Sequence, residues 1–231
     1  MPGTLYLIPA PLGETVWPLA EETRQLVSRL EFFAVENART ARRQLKALEL
    51  SSPLQSIRFL SLDDEIEQSL RILLEGDNVG LMSEAGCPGV ADPGAKLVSL
   101  AHENKLRVVP LPGPSAILLA LMASGMNGQR FAFRGYLPVE KTSRIAKIRE
   151  IEKDSRARDE TQIFIETPYR SQVMLESLLL ALAPETKLCV ASDLTLESET
   201  IGTDTVENWK RIAPRLGKRP AVFLVSASAP L

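Results

Sequence analysis

Apolar and polar positions alternate between two periodicities along the whole chain. Short apolar or β-branched runs, typical of buried strands, are separated by longer stretches in which apolar residues recur every three or four positions, as on one face of a helix. In the first half the strand-like runs lie at residues 4–9, 32–36, 57–60, 79–83 and 107–111, and the helical stretches at 19–30, 40–48, 64–75, 95–103 and 115–124. This alternation predicts a parallel sheet flanked by helices.

A polar, glycine-containing break at residues 125–129 separates this half from the next. Beyond it, strand-like runs lie at 131–137, 162–166, 187–191, 199–203 and 221–226, and helical stretches at 143–153, 171–183 and 206–212. The later strands follow one another more closely, which predicts a mixed sheet. The sequence therefore predicts an α/β protein of two domains, residues 1–125 and 130–231.

Composition narrows the possible functions. The 27 basic and 29 acidic residues leave a net charge of −2, so any contact with RNA must come from a local basic patch. Cys87, Cys189 and the single histidine, His102, show no metal-ligand spacing and no disulfide framework, which fits a reducing, cytoplasmic setting. The N-terminus does not read as a signal peptide, and prolines interrupt the uncharged stretch 108–129, so no membrane segment is predicted.

Two proline- and glycine-rich loops are the strongest candidates for chemistry. Residues 83–94 follow an apolar strand and precede a helix, at the strand end where open α/β sheets bind ligands. Asp92 and Pro93 fit an N-cap and a first helical position, so a purely structural turn is an equal alternative. Residues 110–116 also join a strand to a helix, which Ser115 can cap. If their strands are adjacent, the two loops form opposite walls of one cleft.

Other nucleotide and hydrolase motifs are absent from the sequence. The first strand does not run into a G-x-G-x-x-G turn, and neither a G-x-x-x-x-G-K-[ST] loop nor a G-x-S-x-G elbow occurs. Instead, the run S-[DE]-A-G-x-P-x-x-x-D-P-G at 83–94, followed by P-L-P-G-P-S-A at 110–116, resembles the tetrapyrrole methylase superfamily. Within it, the chain is similar to the ribosomal RNA small-subunit methyltransferase I branch, which methylates a cytidine ribose 2′-oxygen. The likeness extends to residues 3–6, 131–138, 163–170 and 191–195.

This resemblance implies a two-domain tetrapyrrole methylase-like α/β fold, a homodimer and S-adenosylmethionine bound in a cleft between the domains. No metal is implied. The positions that match the family's cofactor site are Pro11, Gly13, Ser83, Glu84, Ala85, Gly86, Pro88, Asp92, Pro93, Pro112, Gly113, Pro114, Ser115, Ala116, Glu166 and Leu194.

Several positions on the substrate side depart from that branch. A Thr-Pro-Ile-Gly-Asn segment is replaced by residues 10–14, and only Glu36 and Arg39 remain of an Ala-Glu-Asp-Thr-Arg segment at 35–39. Residues 192–196 replace Arg-Glu-Leu-Thr-Lys, and the usual C-terminal extension has no counterpart after the run 221–226. The resemblance therefore identifies the methyl donor more firmly than the methyl acceptor.

Transfer to a ribose hydroxyl would need a general base, because the pKa of that hydroxyl lies far above neutral. Glu36 and Glu166 each end an apolar strand and are the predicted candidates, with Glu84 and Asp193 as further options. Basic side chains in two helical stretches could contact RNA phosphates. The predicted phosphate contacts are Arg39, Arg42, Arg43, Arg144 and Lys147, with a solvated helix face as the alternative.

The leading hypothesis is methylation of small-subunit ribosomal RNA by a cytoplasmic, S-adenosylmethionine-dependent enzyme. The altered substrate-side residues leave two alternatives open. One is a methyltransferase whose acceptor is a tetrapyrrole or another small molecule. The other is a paralogue that binds the cofactor without catalysis.

Overall fold

The structure, a computed structural model, describes residues 1–13, 17, 19–48, 50–212 and 215–227. Glu14, from the altered segment after the first strand, lies outside these residues. The chain forms two compact units, residues 1–115 and 116–231.

The first unit holds a sheet of five parallel strands. Its strands are β1 (Thr4–Leu7), β2 (Phe32–Val35), β3 (Arg58–Ser61), β4 (Val79–Met82) and β5 (Arg107–Pro110). The helices that connect them are α1 (Glu21–Ser28), α2 (Ala38–Leu45), α3 (Ile66–Glu75) and α4 (Ala95–Glu103). The strand order is β3-β2-β4-β1-β5, so β1 lies between β4 and β5.

Helices cover both faces of this sheet, because its strands carry apolar side chains on both faces. On one face Leu5 and Leu81 pack in a cluster with Leu73 of α3 and Leu97 of α4. On the other face Phe33 and Met82 pack with residues of α1 and α2, among them Val27 and Leu45. With both faces buried and all strands parallel, the strands end at one common edge, where the connecting loops can hold a ligand.

The second unit begins with α5 (Ala116–Ser124) and holds a mixed sheet of five strands in the order β6-β7-β10-β8-β9. Its strands are β6 (Phe131–Tyr136), β7 (Thr161–Glu166), β8 (Lys187–Ser192), β9 (Thr200–Thr205) and β10 (Ala221–Ser226). Its other helices are α6 (Lys141–Arg158), α7 (Ser171–Ala181) and α8 (Val206–Ile212). β6 and β7 are parallel, and the remaining neighbours are antiparallel.

One aromatic pair lies at the centre of the second unit. Phe164 of β7 and Phe223 of β10 are fully buried and stacked, with ring centroids 5.6 Å apart. They belong to a cluster completed by residues of α6 and α7, such as Ile148 and Leu178. Through this core, the two antiparallel strands pack against the helices that cover them.

Helix α5 accounts for the main difference from the predicted domain boundaries. It packs on β7, β9 and β10, and Thr203 of β9 donates a hydrogen bond to the Ser124 carbonyl at 2.9 Å. The division between the compact units therefore falls before α5, at residues 115 and 116, rather than at the glycine-containing break after it. That break is instead the turn from α5 into the edge strand β6.

Most predicted elements are confirmed, and the differences have local causes. α4, α8 and β10 begin and end where the sequence predicted. α6 begins two residues earlier than predicted, because Glu140 caps its start by accepting hydrogen bonds from the backbone N–H groups of Thr142 (2.7 Å) and Ser143 (2.6 Å), and it continues beyond the predicted end to Arg158. Among the described residues, no helix is long and apolar enough to cross a bilayer.

Replacement of Phe223 by Ala should lower the free energy of unfolding by about 3–5 kcal/mol, because it removes a fully buried ring and leaves a cavity. The midpoint of urea-induced unfolding, followed by circular dichroism, measures this loss. Phe131→Ala is the matched control, since this ring on the edge strand β6 is 41% exposed. Equal midpoints for the two variants would contradict the assignment of Phe223 to the core.

Candidate functional site

The loops that follow β1 and β4 are joined by a pair of backbone hydrogen bonds at the common strand edge of the first unit. The Ala10 N–H donates to the Gly86 carbonyl at 2.8 Å, and the Gly86 N–H donates to the Ala10 carbonyl at 3.0 Å. Gly86 has a φ of 72°, which glycine adopts without strain. This bridge fixes the β4 loop, residues 83–94, against the β1 loop.

The loop after β5, residues 111–115, packs against the same bridge. A Cβ atom on Gly113 would lie 2.3 Å from Pro9 Cγ, so only glycine permits this close approach. Cys87 Sγ of the β4 loop contacts the Pro114 carbonyl at 3.4 Å. The condition on which the sequence-based cleft depended, that the two strands are adjacent, is not met, because β1 lies between β4 and β5. Their loops nevertheless meet beyond the end of β1.

Three carboxylates belong to this edge. The Glu84 N–H donates to Glu36 Oε2 at 3.3 Å, which joins the end of β2 to the β4 loop. Burial and the nearby charge of Glu36, with a smaller effect from Glu84, raise the pKa of Asp92 to about 6. A hydrogen bond with Ser83 acts in the opposite direction and lowers it. Burial, followed by the charge of Asp92, also raises the pKa of the Cys87 thiol. The site therefore carries negative charge, part of which is lost by protonation of Asp92 around pH 6.

Helix α2 holds the β4 loop from the side. Thr40 Oγ1 donates to Glu84 Oε1 at 2.9 Å, and Gln44 Nε2 donates to the Glu84 carbonyl at 2.8 Å. The Asn37 side chain caps the helix by accepting from the Arg39 and Thr40 N–H groups. Sequence reasoning missed Thr40 and Gln44, because contacts across forty residues leave no local pattern.

The basic side chains of α2 face solvent. Arg39, Arg42, Arg43 and Lys46 are exposed, and their spacing of three and four residues places them along one side of the helix. The Arg42 guanidinium also lies 4.7 Å from the ring centre of Phe59. We call this basic side the α2 basic face (Arg39, Arg42, Arg43 and Lys46, the last being the C-cap of the helix). It includes three of the predicted phosphate contacts.

The structure corrects the predicted role of Arg144. Arg144 is 5% exposed, its Nε donates to Ser177 Oγ at 2.9 Å, and its Nη1 donates to the Val139 carbonyl at 2.6 Å. Its guanidinium therefore holds the loop after β6 and is not presented to a phosphate. Lys147, the other candidate on α6, pairs with Glu150 at 2.7 Å.

Glu166 and Leu194, the candidates in the second unit, lie at the ends of β7 and β8. The Glu166 side chain is fully buried, and its Oε2 lies 2.9 Å from Arg170 Nη2. Its Oε1 accepts from the Thr167 N–H at 2.8 Å. Both oxygens of this carboxylate therefore already have a partner. Leu194 is 7% exposed and lies between Asp193 and Thr195, whose φ angles are 53° and 74°.

The start of α4 differs from the predicted cap. The helix begins at Ala95, and Gly94, with a φ of 124°, is its N-cap. Asp92 and Pro93 are therefore not the N-cap and first helical residue. A Cβ on Gly94 would lie 2.9 Å from Leu81, so the glycine lets the chain turn tightly over β4. The Asp92 carboxylate instead shares a hydrogen bond with the Ser83 side chain. Of the remaining predicted cofactor-binding residues, Ala116 is the first residue of α5. The others lie on the three loops: Pro11, Gly13, Ser83, Ala85, Pro88, Pro112 and Ser115.

The chemistry of this edge suits a small ligand with positive charge and hydroxyl groups. Glu36, Glu84 and Asp92 offer acceptors and negative charge, and Gly86 and Gly113 keep the backbone free of side chains where the loops meet. A sulfonium and an amino group next to a ribose diol, as in S-adenosylmethionine, match these acceptors and this negative charge. Among the described residues, no group of His, Cys, Asp and Glu could hold a metal ion.

Comparison with known proteins gives the chain clear relatives. The sequence matches the family of tetrapyrrole (corrin/porphyrin) methylases over residues 4–209. The ribosomal RNA small subunit methyltransferase I of Vibrio cholerae is 33% identical over 197 residues, which cover 85% of this chain and 67% of the relative. The protein of the same name from Haemophilus influenzae is 32% identical over 231 residues, covering 96% of this chain and 78% of the relative.

The fold also matches solved structures. The uroporphyrin-III-C-methyltransferase from Thermus thermophilus has a TM-score of 0.59 and 18% identity, covering 98% of this chain and 93% of that one. The predicted two-sheet α/β fold is thereby confirmed.

Replacement of Asp92 by Asn should stabilise the protein at alkaline pH and leave it unchanged near pH 4. The folded pKa of Asp92, about 6, lies above its ordinary value of 3.8, so the native state loses stability as pH rises through this window. Because Asp92 is half-exposed, solvent screening reduces the expected gain at pH 8 to about 1 kcal/mol, or about 2–4 °C in melting temperature. Differential scanning calorimetry at pH 4 and pH 8 measures the difference, and an equal shift at both pH values would contradict it.

Proposed function

Because the chain belongs to the tetrapyrrole (corrin/porphyrin) methylase family and is a methyltransferase, we propose that it uses S-adenosylmethionine to methylate a ribose 2′-oxygen of small-subunit ribosomal RNA. The similarity to ribosomal RNA small subunit methyltransferase I over most of the chain carries the choice of substrate. The proposal includes a homodimer and a cytoplasmic location, both implied by the family resemblance.

The methyl donor is assigned to the three loops of the first unit. S-adenosylmethionine supplies a methyl group on a positively charged sulfur, which is activated for transfer without covalent help from the protein. The Ala10–Gly86 bridge and the close packing of Gly113 on Pro9 would hold a ligand in one orientation. Glu36, with Glu84 beside it, would balance the donor's positive charge.

Glu36 is the general base that we assign for the ribose hydroxyl. Its carboxylate is exposed at the end of β2, and within the described part of the chain it accepts one long hydrogen bond, from the Glu84 N–H at 3.3 Å. Glu166 is the weaker choice, because its buried carboxylate is already paired with Arg170. Glu36 could therefore take up the hydroxyl proton as the oxygen attacks the methyl group.

The α2 basic face is the proposed contact for RNA phosphates. It lies on the helix whose Thr40 and Gln44 contact the β4 loop, so a phosphate backbone bound along it would pass near the donor site. Basic side chains in such a row would give RNA affinity that falls with salt and depends weakly on sequence.

Methyl transfer to ribosomal RNA is the direct test. We expect the purified protein to transfer labelled methyl groups from S-adenosylmethionine to small ribosomal subunits from cells that lack the gene. Mass spectrometry of the digested RNA should locate the label on one ribose. Glu36→Gln should lower the rate constant by about 10²–10⁴-fold if Glu36 is the base. Label on a tetrapyrrole and none on RNA would support the small-molecule alternative, and no transfer to either would support a cofactor-binding paralogue.

The α2 basic face should also set the salt dependence of RNA binding. In the variant Arg39→Ala/Arg42→Ala, RNA affinity should fall at low salt, and the slope of log K against log salt should become shallower by about 1.5–2 units, because two phosphate contacts are lost. Lys96→Ala is the control, since Lys96 is exposed on α4 of the same unit. Fluorescence anisotropy across a salt series measures both slopes. Parallel slopes for the two variants would remove α2 from the RNA-binding surface.

A further inference from the structure

One helix carries both the α2 basic face and the side chains that hold the β4 loop. Thr40 donates a hydrogen bond to the Glu84 carboxylate, and Gln44 donates one to the Glu84 backbone carbonyl. We propose that Thr40 and Gln44 are positioning residues for the methyl-donor loop, and that RNA bound along the α2 basic face thereby tightens binding of the donor. This inference rests on the proposed function.

Gln44 shows that the contact to the loop has a cost for the fold. Its Nε2 donates to the Glu84 carbonyl at 2.8 Å, but its Oε1 is buried and has no hydrogen-bond partner among the described residues. A buried acceptor without a partner destabilises the folded state, whereas a methionine at this position would avoid that penalty. The glutamine is therefore better explained by the position of the loop than by the stability of the helix.

Thr40 holds the other part of the same residue. Its hydroxyl donates to Glu84 Oε1, and the Glu84 N–H donates to Glu36 Oε2. Glu84 is therefore fixed at its carboxylate, its N–H group and its carbonyl. Since Glu84 is the second residue of the β4 loop, the position of α2 determines where that loop begins.

The basic face gives RNA a means to act on this helix. α2 has eight residues and no acidic residue in its first turn, and Arg39, Arg42 and Lys46 follow one another at spacings of three and four residues. A helix this short is marginal without tertiary contacts, and like charges at these spacings destabilise it further. Bound phosphates would neutralise this repulsion and stabilise the helix that holds Glu84. The donor would then bind a loop that is already ordered.

The test measures the affinity for S-adenosylhomocysteine, the demethylated donor, by isothermal titration calorimetry. The variant Thr40→Val/Gln44→Met removes both hydrogen bonds and nearly conserves side-chain volume. We expect about tenfold weaker binding, with the thermal unfolding midpoint kept within about 2 °C. Thr40→Ser, which keeps the hydroxyl, should bind almost as tightly as the unaltered protein. Gln25→Met is the matched control, because Gln25 donates to Glu21 on the exposed side of α1.

A second titration in the presence of a 20-nucleotide oligouridine tests the coupling. In the unaltered protein the RNA should tighten S-adenosylhomocysteine binding about two- to fivefold, from the relief of two like-charge pairs. The tightening should disappear in Thr40→Val/Gln44→Met, and by reciprocity the ligand should tighten RNA binding by the same factor.

The possible failures are distinguishable. Equal affinity of the unaltered protein and Thr40→Val/Gln44→Met for S-adenosylhomocysteine would overturn the positioning role and leave the proposed function intact. A loss of affinity matched by a large fall in the unfolding midpoint, without rescue by Thr40→Ser, would reduce both residues to a structural role. A protein that binds no S-adenosylhomocysteine at all would overturn the proposed function and this inference with it.

Discussion

The paired backbone hydrogen bonds between Ala10 and Gly86 are the constraint on which the candidate site depends. They join the loops of β1 and β4, which are already neighbours in the parallel sheet, beyond the point where the strands end. The β5 loop can then pack on the same place, because Gly113 lies directly against Pro9. Three segments that are distant in sequence form one wall, and its shape depends on glycines at positions where a Cβ would clash.

Electrostatics gives this wall its chemical character. Glu36 and Glu84 are exposed, whereas Asp92 is half-buried beside them and is therefore harder to ionise. A cationic donor such as S-adenosylmethionine would relieve this unfavourable charge, so ligand binding and the ionisation of Asp92 are linked. The second unit offers a different environment, in which Glu166 is already neutralised by Arg170. The two predicted bases are thus distinguished by their surroundings rather than by residue type.

Helix α2 connects these carboxylates to the surface. Its apolar side, with Ala41 and Leu45, packs on the sheet, its polar side reaches Glu84, and its basic face meets solvent. An eight-residue helix owes its stability to such contacts. Substrate contact, donor position and local stability therefore depend on the same short element.

The sequence by itself determined the order and type of nearly all elements, because hydrophobic periodicity is a local property, and α4, α8 and β10 were predicted to the residue. It also identified the two loops and, through their motifs, the family. Only the tertiary structure showed that β1 separates β4 from β5, that α5 packs on the second sheet, that Arg144 is buried and that Thr40 and Gln44 reach Glu84. Strand order, burial and contacts across forty residues depend on which surfaces meet when the chain folds, and no local pattern of residues records that.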